Sequence, residues 1–289
     1  MRGTWVGKLA AWFLAVQSIL ATGARAADVE IEHMTSPELR DRIAAGATTV
    51  IIPTGGTEQN GPHMVLGKHN FIVAETARRI ATRLGNAVVA PVLAYVPEGD
   101  IAKREGHMAY AGTISVSPAV FSAVLEEAAR SFRAHGFKTI VFLGDSGPNQ
   151  APQHDLAAKL QSEWAGEGIR VVNCDDYYAR NGGAEWLKSQ GETDAAIGTH
   201  AAIRDTSELM AVDAAAVHAE RAVADKDGVV GDATRASAER GRKLLDLKVD
   251  TAVGEIEKAM SMPPGSVPVG GAAGHEDGLL KRLWRRIFG

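Results

Sequence analysis

Cys174 is the only cysteine in this 289-residue chain, so no disulfide can form within it and no metal site can be built from several thiolates. It follows a strand-like run at residues 170–173, which predicts a buried, unreactive thiol rather than a nucleophile. An excess of basic residues is also missing: 31 Lys and Arg stand against 35 Asp and Glu, for a net charge of −4. This balance argues against nucleic acid as the main partner.

Acidic residues are absent before Asp28. Arg2 and Lys8 precede a mostly apolar run at residues 9–21, and residues 24–26, Ala-Arg-Ala, have the small-x-small pattern of a signal peptidase site. The sequence therefore predicts a signal peptide over residues 1–26 and a periplasmic or secreted protein. An uncleaved membrane anchor is the alternative, which the shortness of the apolar run disfavours.

The remaining chain is long enough for one large α/β domain, which we place at residues 27–261. Strand-like runs recur at residues 50–52, 87–91, 139–143 and 170–173, and helical patterns occur at 71–84, 118–135, 151–165 and 233–260. A further helix is predicted to begin at Ser36, which could cap it, with Pro37 in its first turn. This alternation predicts a mostly parallel sheet covered by helices on both faces.

The end of the chain has a different character. Residues 262–277 are rich in Gly, Pro and Ala and are predicted to form a linker. In residues 278–289 the apolar and basic positions fall on opposite sides of a helix: Leu279, Leu280, Leu283, Trp284, Ile287 and Phe288 on one, Lys281, Arg282, Arg285 and Arg286 on the other. Such a helix packs on its own protein or a sister subunit, or it lies on an anionic membrane surface.

The segment richest in side chains that could act in catalysis or bind a metal is 54–70, which follows the first predicted strand. Glu58, His63 and His69 lie there among four glycines and a proline. A strand followed by a glycine-rich loop with polar side chains is how α/β enzymes present functional groups at the carboxyl ends of strands.

Three more loops carry polar side chains at or near predicted strand ends. His107 lies in 98–113, Asp145 and Ser146 in 144–149, and His200 and Asp205 in 199–208. Because parallel strands deliver these loops to one edge of the sheet, all four loops could meet in one pocket. Together they supply nitrogen and oxygen ligands suited to zinc, manganese or iron.

Structural roles are the alternative for the same residues. Glu58 could bind loop amides, His63 could fix a turn, and His69, just before a helix predicted to begin at Asn70, could cap or pack. The sequence Gly-Asp-Ser-Gly around Ser146 resembles the surroundings of serine-protease nucleophiles. Four residues are weak evidence, so we do not interpret Ser146 as a nucleophile.

Five ordered segments resemble the creatininase family, also called creatinine amidohydrolases, between about residues 36 and 260. Residues 58–63, EQNGPH, are similar to the family's E-Q-H-G-P-H, and 66–69, LGKH, to its L-G-T-D. His107 and residues 111–115, AGTIS, are similar to H-x-x-F-P-G-T-I-S. Residues 144–149 fall where the family has N-G-H-G-G-N, and 200–207 resemble H-A-G-x-x-E-T-S.

The resemblance implies a three-layer α/β/α fold, a homohexamer, and a two-metal site, usually of zinc or manganese, that hydrolyses cyclic or linear amides. The ligand positions differ from the family pattern. Glu58 is kept, but Asn60 and Ser146 replace histidines, His69 replaces the aspartate that bridges both metals, and Asp205 replaces a glutamate. We therefore expect either a single metal held by a rearranged set of residues or no metal.

From these observations we predict an exported hydrolase that acts on a C–N bond of a small amide or lactam. The predicted metal ligands are Glu58, His69, Asp145 and Asp205, for zinc or manganese, with iron as a third candidate. His200 is predicted to transfer protons, with Asp145 as a second catalytic group. The predicted substrate contacts are Asn60, His63, His107, Ser146 and Asn149.

Two alternatives stay open at this point. One is a non-catalytic protein that binds a small molecule on the same scaffold. The other is a metal-free hydrolase in which Asp145 and His200 act as an acid and base pair.

Overall fold

The computed structural model describes residues 28–264 and residue 266. The predicted signal peptide, most of the predicted linker and the predicted C-terminal helix lie outside these residues. Within them the chain folds into four strands: β1 (Thr49–Thr54), β2 (Ala87–Val89), β3 (Thr139–Gly144) and β4 (Arg170–Asn173). All four coincide with predicted strands.

The helices begin with α1 (Ser36–Ala44), α2 (Lys68–Leu84), α3 (Pro118–Ala134) and α4 (Gln150–Trp164). Four shorter helices follow β4: α5 (Asp175–Ala179), α6 (Gly183–Ser189), α7 (Asp194–Ile197) and α8 (Ile203–Val212). The last is α9 (Ala238–Ser261). No helix among the described residues is long and apolar enough to cross a membrane.

The strands form one parallel sheet in the order β2-β1-β3-β4. Every residue of β1 and β3 is buried, as expected for a parallel sheet with both faces covered. Alternate residues of β1 point to opposite faces. Ile51 packs in a core with α2, α5 and α9, whereas Val50 and Ile52 pack in a second core with α3 and α4. The predicted three-layer α/β/α fold is confirmed.

Local sequence accounts for the helix ends. Ser36 was expected to cap α1, but the cap is Thr35, whose backbone N–H donates to Oε2 of Glu38 at 2.6 Å. Ser36 is therefore the first helical residue, because Thr35 and Glu38 have the spacing of a capping box. The helix predicted at 233–260 is interrupted, since a 3₁₀ turn (Ala233–Arg235) precedes Ser237, which caps α9.

Cys174 lies at the end of β4 and is completely buried. Burial, with a smaller contribution from nearby carboxylates, raises the pKa of its thiol well above the usual value. The predicted burial of the thiol is confirmed, and the raised pKa disfavours the thiolate form that a nucleophile needs.

Candidate active site

The four predicted loops meet at the carboxyl edge of the sheet, and Glu58 lies where they converge. Its Oε1 is 2.9 Å from Nε2 of His69 and 3.2 Å from Nζ of Lys68, and its Oε2 is 3.0 Å from Nε2 of His107. Glu58 is only 1% exposed. Burial opposes its ionisation, but His107, Lys68, His200 and His69 outweigh burial and hold the pKa of Glu58 well below its usual value.

His69 bridges two carboxylates. Its Nε2 contacts Glu58 at 2.9 Å and its Nδ1 contacts Oδ2 of Asp145 at 3.0 Å. Contrary to the prediction, His69 does not precede a helix that starts at Asn70, because α2 begins at Lys68 and places His69 in its first turn. Burial and Lys68 oppose protonation, yet Glu58 and Asp145 outweigh them and raise the pKa of His69.

Asp145 follows β3 and is fully enclosed. Nζ of Lys248, on α9, lies 2.6 Å from its Oδ1, and the hydroxyl of Tyr177 donates to the same oxygen at 2.9 Å. Burial opposes ionisation, but Lys248 and His69 lower the pKa of Asp145. The same Lys248 ammonium lies 2.7 Å from Glu208. Asp145 therefore joins the site through His69.

His200 is held in one orientation by backbone contacts. It pairs with Val230 in an isolated β-bridge, and its Nε2–H donates to the carbonyl oxygen of Gln59 at 2.9 Å. The next residue, Ala201, has φ of +52°, a left-handed conformation that costs a residue with a Cβ about 1–2 kcal/mol. Backbone strain of this kind is concentrated at functional sites.

That orientation leaves Nδ1 of His200 with its lone pair facing Oε1 of Glu58, 3.7 Å away. Burial, aided by Lys68 and His107, lowers the pKa of His200 to about 3, so the ring is neutral at physiological pH. Because Nδ1 of His200 and Oε1 of Glu58 are both acceptors, a proton donor or a cation between them would be favourable.

Lys68 is a site residue that the sequence did not single out. Its side chain is fully buried, and Nζ lies 2.8 Å from Oδ2 of Asp205 and 3.2 Å from Glu58. The same oxygen of Asp205 accepts from the backbone N–H of Ala201 at 2.8 Å. Burial opposes ionisation of Asp205, but Lys68, His69 and His200 lower its pKa. The motif LGKH could have identified Lys68 as a site residue, because Lys68 adjoins His69 at the start of a helix.

Glu98 is a second residue that sequence reasoning missed as a site residue. It is completely buried, and its Oε1 accepts from the hydroxyl of Ser146 at 3.2 Å. Burial, and then the neighbouring Glu58, raises the pKa of Glu98 well above the usual value. Glu98 is thus a neutral acid beside an ionised one, the arrangement that two adjacent carboxyl groups adopt in low dielectric.

The remaining predicted residues mainly hold the loops in place. Asn60 donates to the carbonyls of Glu58 and Val65 at 3.0 Å each. Asn149 donates to the Gly55 carbonyl at 2.8 Å.

His63 lies beneath α8, with Nε2 2.9 Å from the hydroxyl of Thr206. Burial, followed by Lys68, lowers its pKa. The ring of His107 lies against that of His200, with centroids 4.4 Å apart. Of the predicted substrate contacts, His107 and Ser146 therefore contact Glu58, Glu98 or His200 directly.

One group of ligand atoms in this cluster fits a metal ion. A carboxylate oxygen of Glu58 and one nitrogen each of His107 and His200 lie within 4.8 Å of one another. Two histidines and a glutamate, with one position open, form a known zinc donor set. The N–H that His200 donates to the Gln59 carbonyl is the usual support of a metal-bound histidine.

The group differs from the predicted ligand set, with which it shares only Glu58. His69 has both ring nitrogens at hydrogen-bond distance from carboxylates, and Asp145 and Asp205 each contact a lysine ammonium. The residues therefore fit one ion at Glu58. They do not fit a pair of ions bridged by residue 69, because both ring nitrogens of His69 already contact carboxylates and a neutral imidazole offers only one lone pair.

Comparison with known proteins agrees with this architecture. Residues 32–256 match the family described as creatininase, creatinine amidohydrolase. The mycofactocin precursor peptide peptidase of Mycobacterium tuberculosis (strain CDC 1551 / Oshkosh) is 26% identical over 266 residues, which cover 82% of this chain and 94% of that protein.

Solved structures show the same fold. A crystal structure of creatinine amidohydrolase (creatininase) superimposes with a TM-score of 0.66 at 23% identity, and a structure named Creatininase Mn with a TM-score of 0.67 at 23% identity. Each comparison covers 80% of this chain and 98% of the other.

Proposed function

Because this chain belongs to the creatininase family, we propose that it is a hydrolase that cleaves a C–N bond in a small amide, lactam or short peptide. The peptidase from M. tuberculosis, which aligns over most of both chains, supports a linear peptide bond as one substrate class. The predicted signal peptide supports action outside the cytoplasm, in a periplasm or after secretion.

The facing acceptors of Glu58 and His200 carry the proposal. A water molecule that donates to Oε1 of Glu58 and Nδ1 of His200 would be activated for attack on a carbonyl carbon. His200 is the proton carrier in this arrangement, because its ring is neutral at rest while Glu58 is ionised. It would accept the proton from water and deliver it to the departing nitrogen.

Access to this pair is from the side of α8. The side chains of Asp205 and His200 are 24% and 11% exposed, whereas that of Glu58 is 2% exposed. A shallow depression of about 400 Å³ is lined by residues that include Gln59, Asn60 and Tyr110, and it adjoins the site through Gln59, whose carbonyl accepts from His200. We propose that the body of the substrate lies in this depression, with its scissile bond directed at His200.

The proposed cofactor is one divalent ion, zinc or manganese, with iron as a third candidate. Glu58, His107 and Nδ1 of His200 would hold it, so the ion-bound form is an alternative to proton transfer by His200, whose other ring nitrogen donates to Gln59. Bound there, the ion would polarise the substrate carbonyl and lower the pKa of a water molecule. Lys68 and His69 keep Glu58 ionised and fix its orientation, whether or not an ion is bound.

Replacement of His200 tests the proposal. With a substrate found by screening lactams, small amides and short peptides, His200→Ala should lower kcat about 10²–10⁴-fold, the usual contribution of a proton-transfer group. His218→Ala is the matched control, because His218 is exposed and its Nδ1 contacts only Glu220, at 3.8 Å, among the ion pairs of the described residues. Wild-type turnover by His200→Ala would contradict the proposal. Chelation before the assay shows whether turnover needs the ion.

A specific observation favours a second candidate, a non-catalytic small-molecule binding protein. Glu58 already accepts contacts from Lys68, His69 and His107, so its charge is compensated by the protein itself. Calorimetry that detects binding of an amide without the release of an amine would support this candidate over the hydrolase.

We also propose that the protein is a homo-oligomer. Large apolar side chains are exposed on one side of α3, where Val120 and Val124 lie one turn apart and are 51% and 48% exposed. Tyr95 is 60% exposed. Light scattering should give a mass above that of one chain, and a monomer at high concentration would contradict this assignment.

A further inference from the structure

A buried lysine lies between two carboxylates of the candidate active site. Lys68, in the first turn of α2, is fully buried, and its Nζ contacts Asp205 at 2.8 Å and Glu58 at 3.2 Å. A lysine is almost never buried completely unless it is paired. Its ammonium therefore occupies the position where a cation shared by these two carboxylates would lie.

Lys68 belongs to a series of alternating charges. Each anion in the series contacts one or two cations, in the order Asp205, Lys68, Glu58, His69, Asp145, Lys248 and Glu208. Every member has a partner of opposite sign within 3.2 Å. The carboxylates are thus compensated by side chains of the chain itself.

We propose that the Lys68 ammonium is a built-in cation that takes the place of a divalent ion between Glu58 and Asp205. An ion and an ammonium cannot share this position, because both need the same carboxylate oxygens and their charges repel each other. Lys68 is therefore a positioning residue that lowers by one the number of divalent ions the site can hold. This inference goes beyond the proposed function, since it concerns ion capacity whatever the substrate.

The proposal is tested by replacing Lys68 with an uncharged residue of similar side-chain length. Lys68→Met should bind one more equivalent of manganese than the wild type in calorimetric titration with manganese chloride. Its affinity for that equivalent should exceed wild-type affinity at the same position by at least about tenfold, a change typical of residues that surround a metal. Manganese should also raise the Tm of Lys68→Met more than that of the wild type.

Two further variants make the test specific. Lys68→Arg keeps the charge and should behave like the wild type. The double variant Lys68→Met with Asp205→Asn removes the ammonium and also a carboxylate that would bind the extra ion. It should therefore not bind the extra equivalent of manganese. Lys188→Met is the surface control, because Lys188 pairs with Asp194 at an exposed position.

Equal manganese stoichiometry and equal Tm shifts in Lys68→Met and the wild type would overturn the proposal. So would a Lys68→Met chain that fails to fold even in millimolar manganese, because an ion in the ammonium's place should restore the fold. If the wild-type protein binds no ion, the proposed function loses its cofactor. The difference in manganese stoichiometry between Lys68→Met and the wild type would still test the role of Lys68.

Discussion

Nζ of Lys248 lies 2.6 Å from Oδ1 of Asp145, and both side chains are buried. Lys248 is thereby linked to the site indirectly, because Asp145 contacts His69 and His69 contacts Glu58. The ammonium also compensates Glu208 at 2.7 Å. A residue of α9 thus compensates charge at the carboxyl ends of the strands.

Lys248→Met should destabilise the protein by about 3–5 kcal/mol, because it leaves two buried carboxylates without their cation. Urea unfolding followed by tryptophan fluorescence measures the free energy. Lys243→Met, an exposed position on the same helix, should change it little. Adding Glu208→Gln to Lys248→Met should recover part of the loss. Equal stability of the Lys243 and Lys248 variants would contradict the role of Lys248.

The two neighbouring glutamates should respond differently to amide substitution. Glu98→Gln should change stability at pH 7 by less than about 1 kcal/mol, because Glu98 is already a neutral acid and a glutamine is close to it in shape. Glu58→Gln should cost about 3–5 kcal/mol, because it removes the anion that Lys68 and His69 contact. Comparison of the two unfolding free energies checks the assignment. A larger loss of stability for Glu98→Gln than for Glu58→Gln would contradict the assignment of Glu58 as the ionised glutamate.

Gly241 and Gly254 lie on the same helix and form a matched pair. A Cβ at Gly241 would lie 1.7 Å from the carbonyl oxygen of Ser207, whereas a Cβ at Gly254 would meet nothing within 4 Å. Gly241→Ala should therefore destabilise the protein by about 1–3 kcal/mol or more, as overpacking does. Gly254→Ala should stabilise it by about 0.5–1 kcal/mol, the gain from alanine in a helix. Thermal unfolding of both variants decides whether α8 and α9 approach this closely.

Glu255 should make stability depend on pH. Its Oε1 accepts from the backbone of Asp176 at 3.1 Å, while its Oε2 is buried without a hydrogen-bond partner. Burial, with the nearby Asp176 and Asp175, raises the pKa of Glu255 to about 7. The folded state therefore holds this proton more tightly than the unfolded state, and its contribution to stability falls as pH rises from about 4.5 to about 7.

Glu255→Gln removes that titration. The variant and the wild type should have similar stability near pH 4, and the variant should be more stable at pH 8, by at most about 3 kcal/mol. Urea unfolding across this range gives the difference. A constant difference at all pH values would show that Glu255 does not titrate in this window.

Sequence patterns predicted the sheet well because both faces of a parallel strand are buried. Residues 48–53 read as a continuous apolar and β-branched run, and β1 covers nearly the same span. Glu58 and His200 could be identified because each lies in a motif beside a strand end or a helix start. Parallel topology accounts for the loops that follow β1, β2 and β3, whereas the fourth loop follows α7 and is held by the bridge between His200 and Val230.

The charge partners could not be identified in the same way. Lys248 is 103 residues from Asp145, and no local motif links the two. The one available signal was periodicity, because Lys248 follows Leu244 by one helical turn and so falls on the buried face of α9. Glu98 carried a weaker signal, since it lies in an irregular loop with no period to reveal its burial.

The position of His69 between two carboxylates makes the site difficult to change one residue at a time. An aspartate at this position would place a third negative charge between Glu58 and Asp145, and like charges at such distances cannot all ionise. A histidine at position 146 would lie beside the buried Glu98, and Lys68 would still lie between Glu58 and Asp205. Neither substitution by itself therefore supplies a second ion site while the Lys68 ammonium remains between Glu58 and Asp205.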